Sequence, residues 1–151
     1  MRPIVLLTGA AGNLGRSIAQ GLARDYQVVG LDREAAEIDG MTVIEADLTS
    51  AESIRSALGK VRDTHGDTIA SVAHLAAYFD FTGEDHPLYD KLNVEGTGHL
   101  LDALQAFDVG QFVYASTMLV HAPGEPGEAI DENQPIEPAG PIRSPRPKQR
   151  P

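Results

Sequence analysis

With 151 residues the chain is long enough to close one hydrophobic core and short for two. Apolar residues at 42% and charged residues at 23% form a globular balance that excludes wholesale disorder, and the absence of cysteine excludes disulfides, thiolate metal sites and a cysteine nucleophile. A net charge of -10 repels polyanions, so no nucleic-acid partner is expected for the body of the protein.

The first element is "IVLLT" (residues 4–8), followed at once by the glycine-rich "GAAGNLG". This apolar run is far too short to span a membrane or to serve as a signal peptide, so no membrane partner is expected and the cytoplasm is the expected compartment. Further apolar runs recur at "QVVGL" (27–31), "TVIEA" (42–46), "IASVAHLAA" (69–77) and "QFVYAS" (111–116). Their near-continuous apolarity predicts strands of a parallel sheet covered on both faces. Helices are predicted over Asn13 to Arg24, Ser50 to about Thr64, with Ser50 as N-cap, and Pro87 to Phe107, where proline suits the first turn. Strand and helix in alternation give an α/β fold, a Rossmann-like doubly wound parallel sheet. About five strands are expected, in one domain over residues 1–139, after which a Pro/Arg-rich tail occupies 140–151.

The loop after the first strand has the context a phosphate site needs. Gly9 can make the tight turn, Gly12 lets the backbone approach a pyrophosphate, and Gly15 lets the helix pack close on the strand. Asp32, 23 residues beyond Gly9, stands where a carboxylate would accept hydrogen bonds from the adenosine ribose. Its charge repels a 2′-phosphate and favours NAD over NADP, while Arg33 beside it could pair with that phosphate. The plainer alternative is that Asp32 only caps a turn.

Together, Thr8-Gly9-Ala10-Ala11-Gly12-Asn13-Leu14-Gly15 resembles the loop of the extended short-chain dehydrogenases/reductases, the NAD-dependent epimerase/dehydratase family. Four further segments resemble it in order. By the resemblance, "EADLTS" places Asp47 at the adenine amino group with Leu48 against the ring, Asp47 as a turn residue before the helix being the alternative, and "HLAA" places Ala76 and Ala77 beside the cofactor; the apolar neighbours of His74 mark it as a buried strand residue with a satisfied ring rather than a catalyst. "NVEGTGHLLDAL" implies that Asn93 helps hold the site and that Gly96 and Thr97 allow close packing. "FVYASTMLVHA" puts Thr117 at the catalytic hydroxyl position, with Ser116 just before it. The resemblance implies an NAD(P)-binding domain of an oxidoreductase whose substrate is an unidentified small molecule. A non-catalytic dinucleotide sensor or assembly subunit is the alternative.

The family's Tyr-x-x-x-Lys base is expected about 25 residues beyond that hydroxyl, yet no tyrosine follows Tyr114. Gly140 to Pro151 can be back-translated so that a reading frame two bases later spells Ala-Tyr-Pro-Gln-Ser-Lys-Ala-Lys-Thr-Glu-Ala, which contains the motif. The tail is therefore either a shifted reading frame or a disordered Pro/Arg-rich extension. In both cases the chain is expected to lack turnover. Its fifth strand should present an unpaired edge, open to self-association.

Overall fold

Every residue of Ile4–Thr8 (β1) is buried, the environment that a continuously apolar parallel strand requires. The computed structural model describes residues 2–38, 40–80, 86–117, 120–122, 127, 129 and 131–136. The expected tail, and Phe81 in the loop after the fourth predicted strand, lie outside the described residues. After β1 come α1 (Asn13–Leu22), β2 (Gln27–Asp32), β3 (Ala36–Ile38), β4 (Met41–Glu45), α2 (Ala51–His65), β5 (Thr68–Ile69) and β6 (Ser71–His74). A π-wound helical segment, Tyr89–Gly96, then runs directly into α3 (Thr97–Leu104), followed by β7 (Asp108–Val109) and β8 (Phe112–Tyr114).

The main sheet has the order β3-β4-β2-β1-β6-β8, and all of its pairings are parallel except β3 with β4. The chain thus winds outward from β1 to one side, then crosses back and winds to the other. Alternate side chains of β1 serve opposite faces. Ile4 and Leu6 join Val29, Leu31, Ile54, Leu58, Val61, Val72 and Leu100 under α2 and α3. Leu7 faces the opposite side with Ala19, Val28, Met41 and Val43, under α1. Two covered faces explain why these strands could not be polar on alternate residues.

Three features depart from the expected elements. β3 is an added antiparallel edge strand; its Ala36 and Glu37 are exposed and poor strand formers, so pairing with β4 creates it. The predicted run 69–77 divides: β5 pairs with β7 in a separate two-stranded ladder, and only Ser71–His74 enters the main sheet. The last predicted helix is π-wound over its first half, a rare geometry that concentrates at functional sites. The cap at Ser50 forms as expected, its hydroxyl accepting the Ser53 N–H at 3.2 Å. Among the described residues β8 pairs only with β6, leaving Val113 and Tyr114 over 40% exposed at the sheet margin. No helix among the described residues is long and apolar enough to cross a membrane.

Gly15 is buried where α1 leaves the loop, and a Cβ there would lie 2.8 Å from both the Ala10 Cα and the Ala10 carbonyl oxygen. Neither backbone atom can swing aside as a side chain could. Gly15→Ala should therefore destabilise the chain by about 1–3 kcal/mol, the usual cost of forced overpacking. Urea unfolding checks this, with a lowered midpoint at unchanged slope as the expected result.

Candidate functional site

β1 and β6 are neighbours, yet the chain leaves them toward opposite sides of the sheet, and such a reversal opens a crevice at the carboxyl ends of the strands. Gly9 occupies that point. Its φ is +68°, and a Cβ there would sit 3.0 Å from the Ala76 nitrogen, so the turn closes against bare backbone. The Gly9 N–H donates to the Leu31 carbonyl at 3.0 Å, and its own carbonyl accepts the Gly12 N–H at 3.2 Å. Gly12 then caps α1 without any side-chain bond, and no acidic residue stands in the helix's first turn. The amide end of the helix dipole is left for an anion.

A cleft of about 560 Å³ lies over this turn. Gly9, Gly12, Asp32, Arg33, Asp47, Leu48, Ala76 and Ala77 all line it. Asp32 is held by two backbone donors: Oδ2 accepts the Ala11 N–H and Oδ1 the Arg33 N–H, each at 2.8 Å. A carboxylate has about four acceptor positions, so this orientation leaves capacity for ribose hydroxyls. The plainer reading of Asp32 as a turn cap and the ribose reading are therefore compatible. Asp47 Oδ1 accepts both the Thr49 N–H (2.9 Å) and the Thr49 hydroxyl (2.8 Å), tying down the exposed rim. Leu48 is buried beneath it and belongs to the core as well. Asn13 and Leu14 are exposed on the first turn of α1 and do not line the cleft; Gly15 lies buried under the loop. A turn whose Gly9 and Gly12 line the cleft without side chains, beside an oriented carboxylate, fits a dinucleotide.

A second cavity of about 290 Å³ adjoins the cleft across a shared wall, Ala77 and Tyr78. Ser116 and Thr117, just beyond β8, line it together with Asn93, Tyr78, Phe79, Tyr89 and Tyr114. The structure thus brings both expected hydroxyl residues to one pocket, and it places Asn93 there rather than on the cleft. Asn93 grips the shared wall at two points: Oδ1 accepts the Tyr78 N–H at 2.7 Å, and Nδ2 donates to the Tyr78 carbonyl at 3.0 Å. The π-wound segment supplies Tyr89, Asn93 and Val94 to this pocket and Leu92 to the cleft.

Tyr89 was not anticipated from the sequence. Its hydroxyl accepts the Asp80 N–H at 3.1 Å, and its ring meets Tyr78 edge-on at 5.0 Å. The signal was its position four residues before Asn93 on one helix. Desolvation and then the nearby Asp80 carboxylate raise the Tyr78 pKa above the ordinary phenol value, so this hydroxyl remains a donor. Tyr78 also stacks on His86, with ring centroids 4.6 Å apart.

His74 lines neither cavity and is 1% exposed. Nδ1 lies 2.6 Å from the Thr8 hydroxyl and Nε2 lies 3.0 Å from that of Thr97. Burial lowers its pKa to about 4, which keeps the ring neutral. The expected buried, satisfied histidine is what the structure contains.

The family model for the NAD dependent epimerase/dehydratase family matches residues 5–144. The chain is 30% identical to a putative UDP-glucose 4-epimerase of Methanocaldococcus jannaschii, with 91% of this chain and 46% of that protein covered. It is 31% identical to the L-arabinose 1-dehydrogenase (NAD(P)(+)) of Haloferax volcanii, over 78% of this chain and 42% of that protein. Among solved structures, Thermus thermophilus UDP-glucose 4-epimerase in complex with NAD aligns with a TM-score of 0.76 at 30% identity, covering 92% of this chain and 46% of that one. The chain therefore spans less than half the length of the relatives it matches.

His74 gives a directional pH dependence. Its folded pKa of about 4 lies below the 6.5 of an unfolded histidine, so between these values only the unfolded chain takes up the proton. Stability contributed by the neutral ring is complete above pH 6.5, falls by roughly 3 kcal/mol as pH drops toward 4, and levels off below. Unfolding free energies at pH 7.5 and 4.5 should show a larger acid loss for the wild type than for His74→Gln.

Proposed function

This chain belongs to the NAD dependent epimerase/dehydratase family, and we propose that it acts as the dinucleotide-holding half of an oxidoreductase or epimerase that prefers NAD to NADP. Gly9 turned onto the Ala76 backbone, with Asp32 oriented by the Ala11 N–H, is the observation that carries this reading. Asp32 would take the ribose hydroxyls, and its charge disfavours a 2′-phosphate even with Arg33 adjacent. Asn13 and Leu14 contribute through the first turn of α1, and Asp47 and Leu48 would receive the adenine end. When bound, the nicotinamide supplies the hydride chemistry. In the adjoining pocket the Thr117 hydroxyl, with Ser116 beside it, would hold the reacting oxygen of the substrate. Relatives named for UDP-glucose and L-arabinose suggest a sugar ring hydroxyl, alcoholic or anomeric, as the reacting group of the substrate class.

Residues 115–151 contain no tyrosine, so no Tyr-x-x-x-Lys base stands within them beside the hydroxyl pair. The chain on its own should bind cofactor without turnover. The second reading is a dinucleotide-responsive subunit. Self-association through the side of β8 that is unpaired among the described residues is consistent with either.

Titration with NADH and NADPH, followed by nicotinamide fluorescence, tests the assignment. NADH should bind more tightly than NADPH, and Asp32→Ala should weaken NADH about tenfold or more, the loss expected for hydrogen bonds to a charged acceptor. A thermal midpoint that millimolar NAD(H) and NADP(H) leave unmoved would overturn it.

A further inference from the structure

We propose that His74 is a positioning residue: through a one-way chain of buried and half-buried hydrogen bonds it holds the wall shared by the two cavities in register with the glycine turn. The inference rests on the dinucleotide reading for its functional meaning, but its geometry stands independently.

The direction of every bond follows from counting protons. Thr8 Oγ1 lies 3.2 Å from both the Leu75 and the Ala76 nitrogens and accepts both N–H groups. A hydroxyl has two lone pairs and one proton. With both lone pairs engaged, Thr8 must donate its proton to His74 Nδ1, 2.6 Å away. The neutral ring then carries its hydrogen on Nε2 and donates it to Thr97 Oγ1 at 3.0 Å. The Thr97 proton goes to the Asn93 carbonyl at 2.8 Å. Asn93 in turn grips Tyr78 through both backbone groups.

This relay joins the end of β1, the end of β6 and the point where π winding gives way to α3. At one end it fixes the Ala76 amide, the group against which Gly9 packs. At the other it fixes Tyr78, which faces cleft and pocket together. Reversal of the ring tautomer would set two donors against each other at Nδ1 or leave a half-buried N–H of Leu75 or Ala76 without its acceptor, so the chain of bonds has one arrangement. Thr97, expected only to permit close packing, becomes the joint between histidine and helix.

Amide hydrogen exchange on the ligand-free chain tests this for wild type, Thr97→Val, Thr97→Ser and His74→Phe. Thr97→Val should speed exchange at the Tyr78 amide about tenfold, while Leu75 and Ala76, still held by Thr8 and His74, keep their protection. Thr97→Ser, which retains the hydroxyl, should restore wild-type rates. His74→Phe should release Leu75, Ala76 and Tyr78 together. Unchanged Tyr78 exchange in Thr97→Val overturns the proposal, as does an equal loss of protection across β1 and β2, which would mark a mere packing defect. Should His74→Phe fail to fold, the two Thr97 variants decide. NADH titration of Thr97→Val should show several-fold weaker binding; if the wild type itself fails to bind NADH, the dinucleotide reading falls while the exchange pattern still judges the relay.

Discussion

Main chain touching main chain at the centre of the sheet is the constraint from which the rest of this molecule follows. Gly9 turns with φ of +68° onto the backbone at Ala76, with 3.0 Å between the Ala76 nitrogen and the place a Cβ would take. Such an approach is open only to glycine. It brings the ends of β1 and β6 together, aims the start of α1 over the cleft and leaves its amide groups bare of any side-chain cap. Asp32, at the end of the neighbouring β2, then borrows an N–H from the same loop. Cradle, dipole and carboxylate are consequences of one close contact.

The electrostatics of the cleft run against the charge of the whole. A chain of net charge -10 would be a poor host for a diphosphate if long-range field alone decided. Among the described residues lining the cleft, Arg33 is the basic side chain, and it stands beside Asp32 rather than at the glycine turn. A diphosphate held there would rely on oriented backbone dipoles, which act at short range and need no mobile cation. An acidic surface and such a site can coexist because they operate over different distances.

The two cavities share a wall, and polar bonds together with ring contacts of Tyr78 hold that wall. Ala77 and Tyr78 leave the sheet edge just after β6, where the ladder of backbone bonds has ended. Asn93 replaces the missing ladder for Tyr78, and the Thr8 hydroxyl does so for Leu75 and Ala76. His74 is buried between them with both ring nitrogens engaged, so the polar groups satisfy one another at a depth where an unpaired one would be costly.

Much of this was legible in the sequence. Short, continuously apolar runs marked the strands because both faces of a parallel sheet are covered, and a glycine spacing followed by an acidic residue marked the turn and its carboxylate. These signals are local: they depend on what each residue does to its own few neighbours. Local signals could not show that "IASVAHLAA" would split between two sheets, that Ala36–Ile38 would be drawn into an edge strand by β4, or that the helix carrying Asn93 would begin with π winding. Nor could they show Asn93 on the pocket side, Tyr89 beside it, or a histidine bridging threonines 66 and 23 residues away in sequence. Those placements depend on contacts between distant segments, and only the packed chain decides which polar atoms meet. From residue order alone came the fold class, the turn and the nature of the expected ligand; the closing of separate β-strand ends around one buried ring, which joins cleft to pocket, belongs to the tertiary structure.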